Sequence, residues 1–313
     1  MGKRIGIVGA GVAGVTAAHY LCRAGHHITL IDKSRGFGGR LATRRFPDVG
    51  SADHGAQYFT ISDPECFNLF TGYGDCEPWY PKGKEDLRDW FVGTPGMNAM
   101  LKRLSDGLDH RLGCQITGIR HDQTSVTLYD DQHNAYPFDT VILTPPAQQT
   151  AALIQDLDRD LADRLNSLTM IPSWTVMVAF DHWLAKDTDI WRGDHAVLGW
   201  AARNSSKPGR DKTLDSWTLQ ATADYSTAML EADKSEIEAA LMTAFAEVMG
   251  ITLPTPTIMQ SHRWRYAYAA APLGEAYLVT ANGRIVIAGD WCLGQRVGDA
   301  FASGRAAGCF LVD

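Results

Sequence analysis

Apolar and polar positions in this chain fall into two alternating periods. Ile5–Val8 is a short apolar run, followed by Gly9-Ala10-Gly11-Val12-Ala13-Gly14 and an amphipathic stretch to Ala24. A second apolar run, Ile28-Thr29-Leu30-Ile31, ends on Asp32. Short apolar runs bounded by turn formers predict buried strands, and helical spacing between them predicts a helix. The order is strand, glycine turn, helix, strand, acid. That order suits a dinucleotide: Gly9 allows the tight turn, Gly11 lets the backbone approach a pyrophosphate, and Gly14 lets the helix pack close to the sheet. Asp32 then stands where a carboxylate accepts hydrogen bonds from a ribose diol.

Further along, Lys33–Arg40 reads as a glycine-rich loop, and 51–60 as a close backbone approach followed by a short strand. Residues 64–90, rich in Trp, Tyr, Pro and Gly, read as an insertion carrying surface contacts. A turn and helical spacing follow over 93–104. Strands are predicted at 114–120, 125–129 and 138–143, and helices at 148–155 and 159–165. Residues 174–180, 196–202 and 216–221 are predicted as strands of a second sheet, with another at 257–264. Lys234–Met249 carries apolar residues at helical spacing (Ile237, Leu241, Ala244, Phe245, Val248). Ile285–Ala288 is a buried strand leading into Gly289-Asp290, and 298–311 is a closing helix. Dinucleotide-binding elements thus lie at both ends and in the middle. The pattern predicts an α/β fold: a Rossmann-like dinucleotide-binding domain over 1–62, 94–150 and 280–313, which the residues below assign to FAD. Interleaved with it is an α+β substrate domain over 63–93 and 151–279 with a second mixed or antiparallel sheet.

Composition changes this picture little. Apolar content of 45% over 313 residues supports a sizeable core, and the formal charge of −7 argues against a nucleic-acid binder. Cysteines 22, 66, 76, 114, 292 and 309 have no metal-like spacing, and the histidines form no HExxH motif, so no metal site is expected. No apolar stretch is long enough to span a bilayer, and a soluble cytoplasmic protein is expected.

Three features favour flavin over nicotinamide as the cofactor. Gly38-Gly39-Arg40 allows the backbone to lie against a second phosphate or the isoalloxazine edge, with Arg40 pairing with the pyrophosphate. The segment 138–145 returns a strand and turn to the cofactor domain. Ile287-Ala288-Gly289-Asp290-Trp291 places Asp290 near ribityl hydroxyls or the pyrophosphate, with a small-residue helix behind it.

Together, Gly9–Gly14, Asp32, Gly38-Gly39-Arg40 and Gly289-Asp290 resemble the FAD-binding amine-oxidase superfamily. Within it, DKSRGFGGR (32–40), HGAQYFT (54–60), Trp200–Asn204, SKPGRD (206–211), HRWRYA (262–267) and GDWC (289–292) are similar to the bacterial renalases. The resemblance implies non-covalent FAD, held at the N-terminal end by Gly9, Gly11, Ala13, Gly14, Asp32, Lys33, Gly39 and Arg40. Gln57 and Ile116 would contribute from the middle of the chain, and Gly289, Asp290 and Val297 from its C-terminal end. It also implies oxidation of 2- and 6-dihydro isomers of NAD(P), with electrons passed to O2 to give H2O2. The partners are then a nicotinamide nucleotide and O2, with no nucleic acid and no membrane. An amine oxidase, or a related flavoenzyme of a small amine or apolar substrate, is the alternative; a flavin-binding protein without turnover is a third.

Hydride removal from a dihydropyridine needs orientation and a dry pocket rather than a general base. Many amine oxidases of the superfamily place a lysine near flavin N5, yet Ser261–Tyr266 has none. Gln57, Tyr58, His262 and Trp264 are the catalytic candidates. His262 is read either as a carboxamide partner or as a satisfied structural histidine, and Trp264 and Trp291 either as ring-stacking surfaces or as core. His54 either touches the flavin or caps a turn. Arg203, Lys207 and Arg210 are read as a solvated charge run, with nucleotide phosphate recognition as the alternative. Cys292 is expected to be a buried reduced thiol.

Overall fold

A computed structural model describes residues 2–46 and 50–312; Met1, 47–49 and Asp313 lie outside the described residues. The chain divides into two units, one of residues 1–39, 101–170 and 268–313, the other of 40–100 and 171–267.

The first unit is built on a six-stranded sheet. Its order is Leu278–Val279, Ile285–Ile287, Thr140–Leu143, Arg4–Val8, His27–Asp32, Asp109–Leu112. All neighbours pair in parallel except the two C-terminal strands, which are antiparallel. The central strands are apolar and buried almost throughout, as a sheet covered on both faces requires. The first helix, Val12–Arg23, packs on the last, Val297–Val312. A Cβ at Gly304 would lie 2.2 Å from the Ala13 carbonyl oxygen, and one at Gly308 would lie 3.2 Å from that of Ala17. The small residues of the last helix thus let two helices approach. A three-stranded antiparallel sheet (Ile116–His121, Val126–Asp130, Ala135–Phe138) completes this unit's strands.

The second unit carries a five-stranded sheet ordered Ile190–Trp191, Leu198–Arg203, Asp215–Ala221, Met170–Phe180, Ile258–Ala269. The helix Lys234–Met249 buries Ile237, Leu241, Ala244 and Phe245 in a core shared with Trp174, Trp217 and Leu219. It stops at Gly250, whose φ of 60° is the left-handed cap that glycine supplies at least cost.

The sequence expectations depart from this fold in four places. Residues 64–90 are not a surface insertion: Asp63 caps the helix Pro64–Thr71, and a hairpin pairs Cys76–Trp79 with Trp90–Gly93. Trp79 and Trp90 are buried, because this short hairpin depends on its large aromatics for a core. In 51–60 the order is reversed, with the strand Gly50–Asp53 first and irregular backbone after it. The run 138–143 is two strands broken at Asp139, whose carboxylate accepts from the Arg4 amide. Finally, the division of the chain differs: residues 40–62 and 94–100 lie with the second unit, and 151–170 and 268–279 with the first; Asp53 and its neighbours, for example, are bonded by side chains from 204–218. Among the described residues, no helix is long and apolar enough to cross a membrane.

Candidate functional site

The glycine turn of the first unit sorts its three glycines by what each one faces. Gly9 has φ of +108°, donates its N–H to Ile31 O at 2.8 Å, and would place a Cβ 2.2 Å from the Thr144 hydroxyl. A Cβ on Gly14 would stand 1.9 Å from Gly9 O. Protein packing alone therefore requires glycine at both positions. Gly11 differs: its φ of −83° suits any residue, and a Cβ there would meet nothing within 4 Å among the described residues. Open space beside the N-terminus of a helix, with no side-chain cap and no acid in the first turn, is a place for an anion. Gly39, at φ +54°, closes the far side, its would-be Cβ 3.4 Å from the Gly11 Cα. The Gly38 amide donates to Ala10 O at 2.9 Å, which pins the second loop to the first.

Asp32 holds these loops together. One carboxylate oxygen accepts from the Ala10 amide and the other from the Ser34 amide, each at 2.7 Å. Each oxygen keeps a lone pair for a diol, so Asp32 serves the turn as well as any ribose. At the other end of the chain, the Gly289 amide donates to Ser303 Oγ at 2.9 Å, and buried Asp290 opens the short helix Asp290–Leu293. A Cβ on Gly289 would strike the Trp291 indole nitrogen at 2.4 Å. Trp291 itself is core, donating its indole N–H to Pro145 O at 3.2 Å. Burial pushes the neighbouring Cys292 thiol up to about 12, as an inert buried thiol requires.

In the second unit, residues 54–58 follow the strand Gly50–Asp53 without a ladder of their own; the His54 and Ala56 amides donate to Ala42 O at 3.3 Å and Arg40 O at 2.9 Å, and side chains supply further restraints. The Asp53 carboxylate is fully buried. Its Oδ2 accepts from Lys207 Nζ at 3.0 Å and Arg210 Nη2 at 2.7 Å, and its Oδ1 from Thr43 Oγ1 at 2.7 Å and the Met97 amide at 3.1 Å. Burial opposes the Asp53 charge, but the two cations and their hydrogen bonds outweigh it and hold the carboxyl well below its ordinary range. Lys207 is equally buried, and desolvation brings its ammonium down to about 8 against the pull of Asp53. Both amide hydrogens of Gln57 are engaged, by Asp53 O at 2.8 Å and Gly55 O at 3.0 Å, while its oxygen accepts from Lys207 at 3.0 Å.

Beside this network stand three rings. His54 is stacked on Trp264 at 5.1 Å and lies edge-on to His262 at 4.8 Å, and the Trp264 indole donates to His54 O at 2.7 Å. Burial first, then the His262 and Arg44 charges, push His54 down to about 3; burial, Arg44 and Lys234 push His262 to about 4. Both imidazoles are therefore neutral at physiological pH. Among the described residues, the buried Nδ1 of His54 has no hydrogen-bond partner. Tyr58 turns elsewhere, stacking on Trp90 at 3.8 Å between ring centroids.

The profile of the NAD(P)-binding Rossmann-like domain matches residues 7–72, and that of the flavin-containing amine oxidoreductases matches residues 81–309, well over half of the chain. The chain belongs to the flavin-containing amine oxidoreductases. A stretch of 49 residues is 47% identical to the flavin-dependent L-tryptophan oxidase RebO of Lentzea aerocolonigenes, covering 16% of this chain and 10% of that protein. One of 46 residues is 50% identical to an L-amino-acid oxidase of Crotalus adamanteus, covering 15% and 9%. The chain thus matches about a tenth of the length of these curated relatives. The fold is similar to that of cyclohexylamine oxidase from Brevibacterium oxydans IH-35A, with a TM-score of 0.81 at 13% identity over 100% of this chain and 99% of that one.

The cradle fits the flavin nucleotide this family carries, since Gly11 leaves room where the protein itself needs none. In this flavin-containing amine oxidoreductase, Gly9, Gly11, Ala13, Gly14, Asp32 and Gly39 come together in the first unit, with Ala13 touching the last helix. Lys33 is exposed and donates to Gln149 at 3.1 Å; Ile116 is a core residue; Val297 opens the last helix. Arg40 donates to Ala267 O at 2.8 Å in the second unit. There, His54, His262 and Trp264 form one cluster, while Gln57 belongs to the Asp53–Lys207 network. The solvated charge run is corrected outright. Arg203 is buried between Asp189 at 3.1 Å and Asp215 at 3.0 Å and packs on Trp217, and Lys207 and Arg210 are buried on Asp53. None of the three is left as a surface anchor for a phosphate. Asp53 and Asn204, whose side-chain oxygen accepts from the Asp53 amide at 3.1 Å, were not singled out by sequence reading.

Proposed function

We propose that the chain is an oxidase with non-covalently bound FAD that takes a hydride from 2- and 6-dihydro isomers of NAD(P), the reaction of the renalases. The cluster of two neutral imidazoles on Trp264 carries this reading. A dihydropyridine losing hydride from C2 or C6 becomes an aromatic pyridinium with no proton to remove. Its site needs an aromatic wall, hydrogen-bond acceptors for a carboxamide and exclusion of water, which uncharged histidines and an indole supply. An amine must instead arrive as, or lose a proton from, an ammonium. The positive charges of Arg44 and Lys234, which depress His262, oppose a second cation there. The lysine buried in this unit, Lys207, is engaged with Asp53 and Gln57.

The glycine cradle, Asp32 and the 289–297 segment would hold FAD. FAD, when bound, supplies two-electron acceptance followed by reduction of O2 to H2O2. Tyr58 and Gln57 shape the segment that carries His54. The cytoplasm, where free thiols stay reduced, suits the six cysteines. The fold shared with cyclohexylamine oxidase favours an amine substrate as the second reading. An aerobic assay separates the two: formation of H2O2 and NAD(P)+ in equal amounts from isomeric dihydronicotinamides is expected. Peroxide formed only from amines would overturn the assignment.

A further inference from the structure

The buried cluster around Asp53 does not balance within itself, its extra positive charge being offset by the separate buried group of Arg203 with Asp189 and Asp215. Asp53 brings one negative charge and Lys207 and Arg210 bring two positive ones, all out of reach of water. Replacing buried ion clusters with apolar side chains is often neutral or stabilising, so stability alone is a weak reason for this arrangement. What the cluster does is fix backbone. Lys207 Nζ bridges Asp53 Oδ2 and Gln57 Oε1, both at 3.0 Å, with the Trp79 ring on its remaining side at 5.5 Å. Gln57 passes this restraint to the carbonyls of residues 53 and 55. Thr218 Oγ1 reaches the first of these at 2.8 Å and Gln220 Nε2 the second, also at 2.8 Å. The carbonyl between them, that of His54, accepts from the Trp264 indole. Three consecutive carbonyls, at the last residue of the strand Gly50–Asp53 and the two beyond it, are thus held by side chains.

We propose that Lys207 is a positioning residue: through Asp53 and Gln57 it fixes residues 53–58 so that the His54 ring stays against His262 and Trp264. This rests on the reading of that cluster as the hydride donor's site. The protonated amine is the working form, because it adds charge to both hydrogen bonds. The groups facing it are Asp53, Arg210, Gln57 and Trp79. Its ammonium, held near 8, makes the restraint sensitive to mild alkali.

The test uses the flavin-loaded protein and Lys207→Met, which keeps the length of the side chain and leaves Asp53 paired with Arg210. Hydrogen exchange of the 53–58 amides should accelerate by about tenfold or more, the loss expected for one charge-assisted hydrogen bond, while the Lys234–Met249 helix exchanges as before. The limiting rate of flavin reduction by isomeric dihydronicotinamides should fall on the order of tenfold with KM little changed. The wild-type protein should lose protection at 53–58, corrected for intrinsic rates, as pH passes about 8. That arm holds even if the variant does not fold. Unchanged exchange in a folded variant, or flat protection from pH 7 to 9.5, overturns the proposal. If exchange responds as expected but no dihydronicotinamide reduces the wild-type flavin, the substrate reading fails and the positioning role stands.

Discussion

Alanine at Gly11 and at Gly14 should have opposite consequences, although the two sites are three residues apart. At Gly14 the new methyl would lie 1.9 Å from Gly9 O, so the turn must shift or open. Forced overpacking of this kind costs about 3 kcal/mol or more, because the obstacle is backbone rather than a movable side chain. At Gly11 the methyl enters empty space on a backbone that alanine adopts freely, with φ −83° and ψ −172°. The flavin-free protein should be unchanged, or more stable by about 0.4–1 kcal/mol through the smaller entropy of its unfolded chain. The flavin nucleotide, however, must then share its phosphate path with a methyl group. A penalty of about 1–3 kcal/mol corresponds to roughly 5- to 150-fold weaker binding. Urea unfolding of the flavin-free proteins and fluorescence titration with FAD measure both quantities. Wild-type FAD affinity in Gly11→Ala would refute the placement of the phosphates beside this helix. So would a loss of flavin-free stability equal to that of Gly14→Ala.

Three further outcomes follow from the same contacts. His54 is neutral when folded, at about 3 against an unfolded value of 6.5, so the unfolded chain binds more protons between those values. Its contribution is whole above pH 6.5 and about 2 kcal/mol smaller at pH 5, a loss that His54→Gln should lack on urea unfolding; equal losses in both proteins would contradict the assignment. Asp32→Ala should cost the flavin-free protein about 1–3 kcal/mol by stranding the Ala10 and Ser34 amides, and also weaken FAD retention, with Asp32→Asn recovering part of the stability. Retention of FAD at wild-type affinity by the alanine variant would remove the carboxylate from the site. Arg203→Met should destabilise by about 3–5 kcal/mol, since it leaves Asp189 and Asp215 buried without their cation. A change in unfolding free energy under about 0.5 kcal/mol would return Arg203 to the solvent-exposed loop that the sequence predicts.

The nucleotide cradle was legible because its parts are local. Strand, turn, helix and acid lie within 5–32, and each glycine has a reason in that neighbourhood. The loop 33–39 was legible too, since the glycine pair 38–39 announces special backbone. The second unit was less so. Asp53 meets Lys207 across 154 positions, and no periodicity links an acid at the end of one strand to cations in a distant loop. Arg203, Lys207 and Arg210 resemble a solvated run because lysine and arginine are rarely buried unless paired, and the sequence does not show the pair. The one available signal was that Lys207 and Arg210 sit within a Pro-Gly turn between two apolar strands, where a long solvated loop is not needed. The aromatics of 64–90 misled for a related reason: a Trp–Trp core inside a short hairpin looks like an exposed aromatic patch until the strands pair.

Anaerobic mixing of the flavin-loaded protein with 2- and 6-dihydro-NAD(P), ordinary β-NAD(P)H and a panel of amines tests the central claim most directly. The flavin absorbance should bleach within a single turnover for the 2- or 6-dihydro isomers and remain for β-NAD(P)H and the amines. Rapid bleaching by amines alone, with the dihydro isomers inert, would contradict the account.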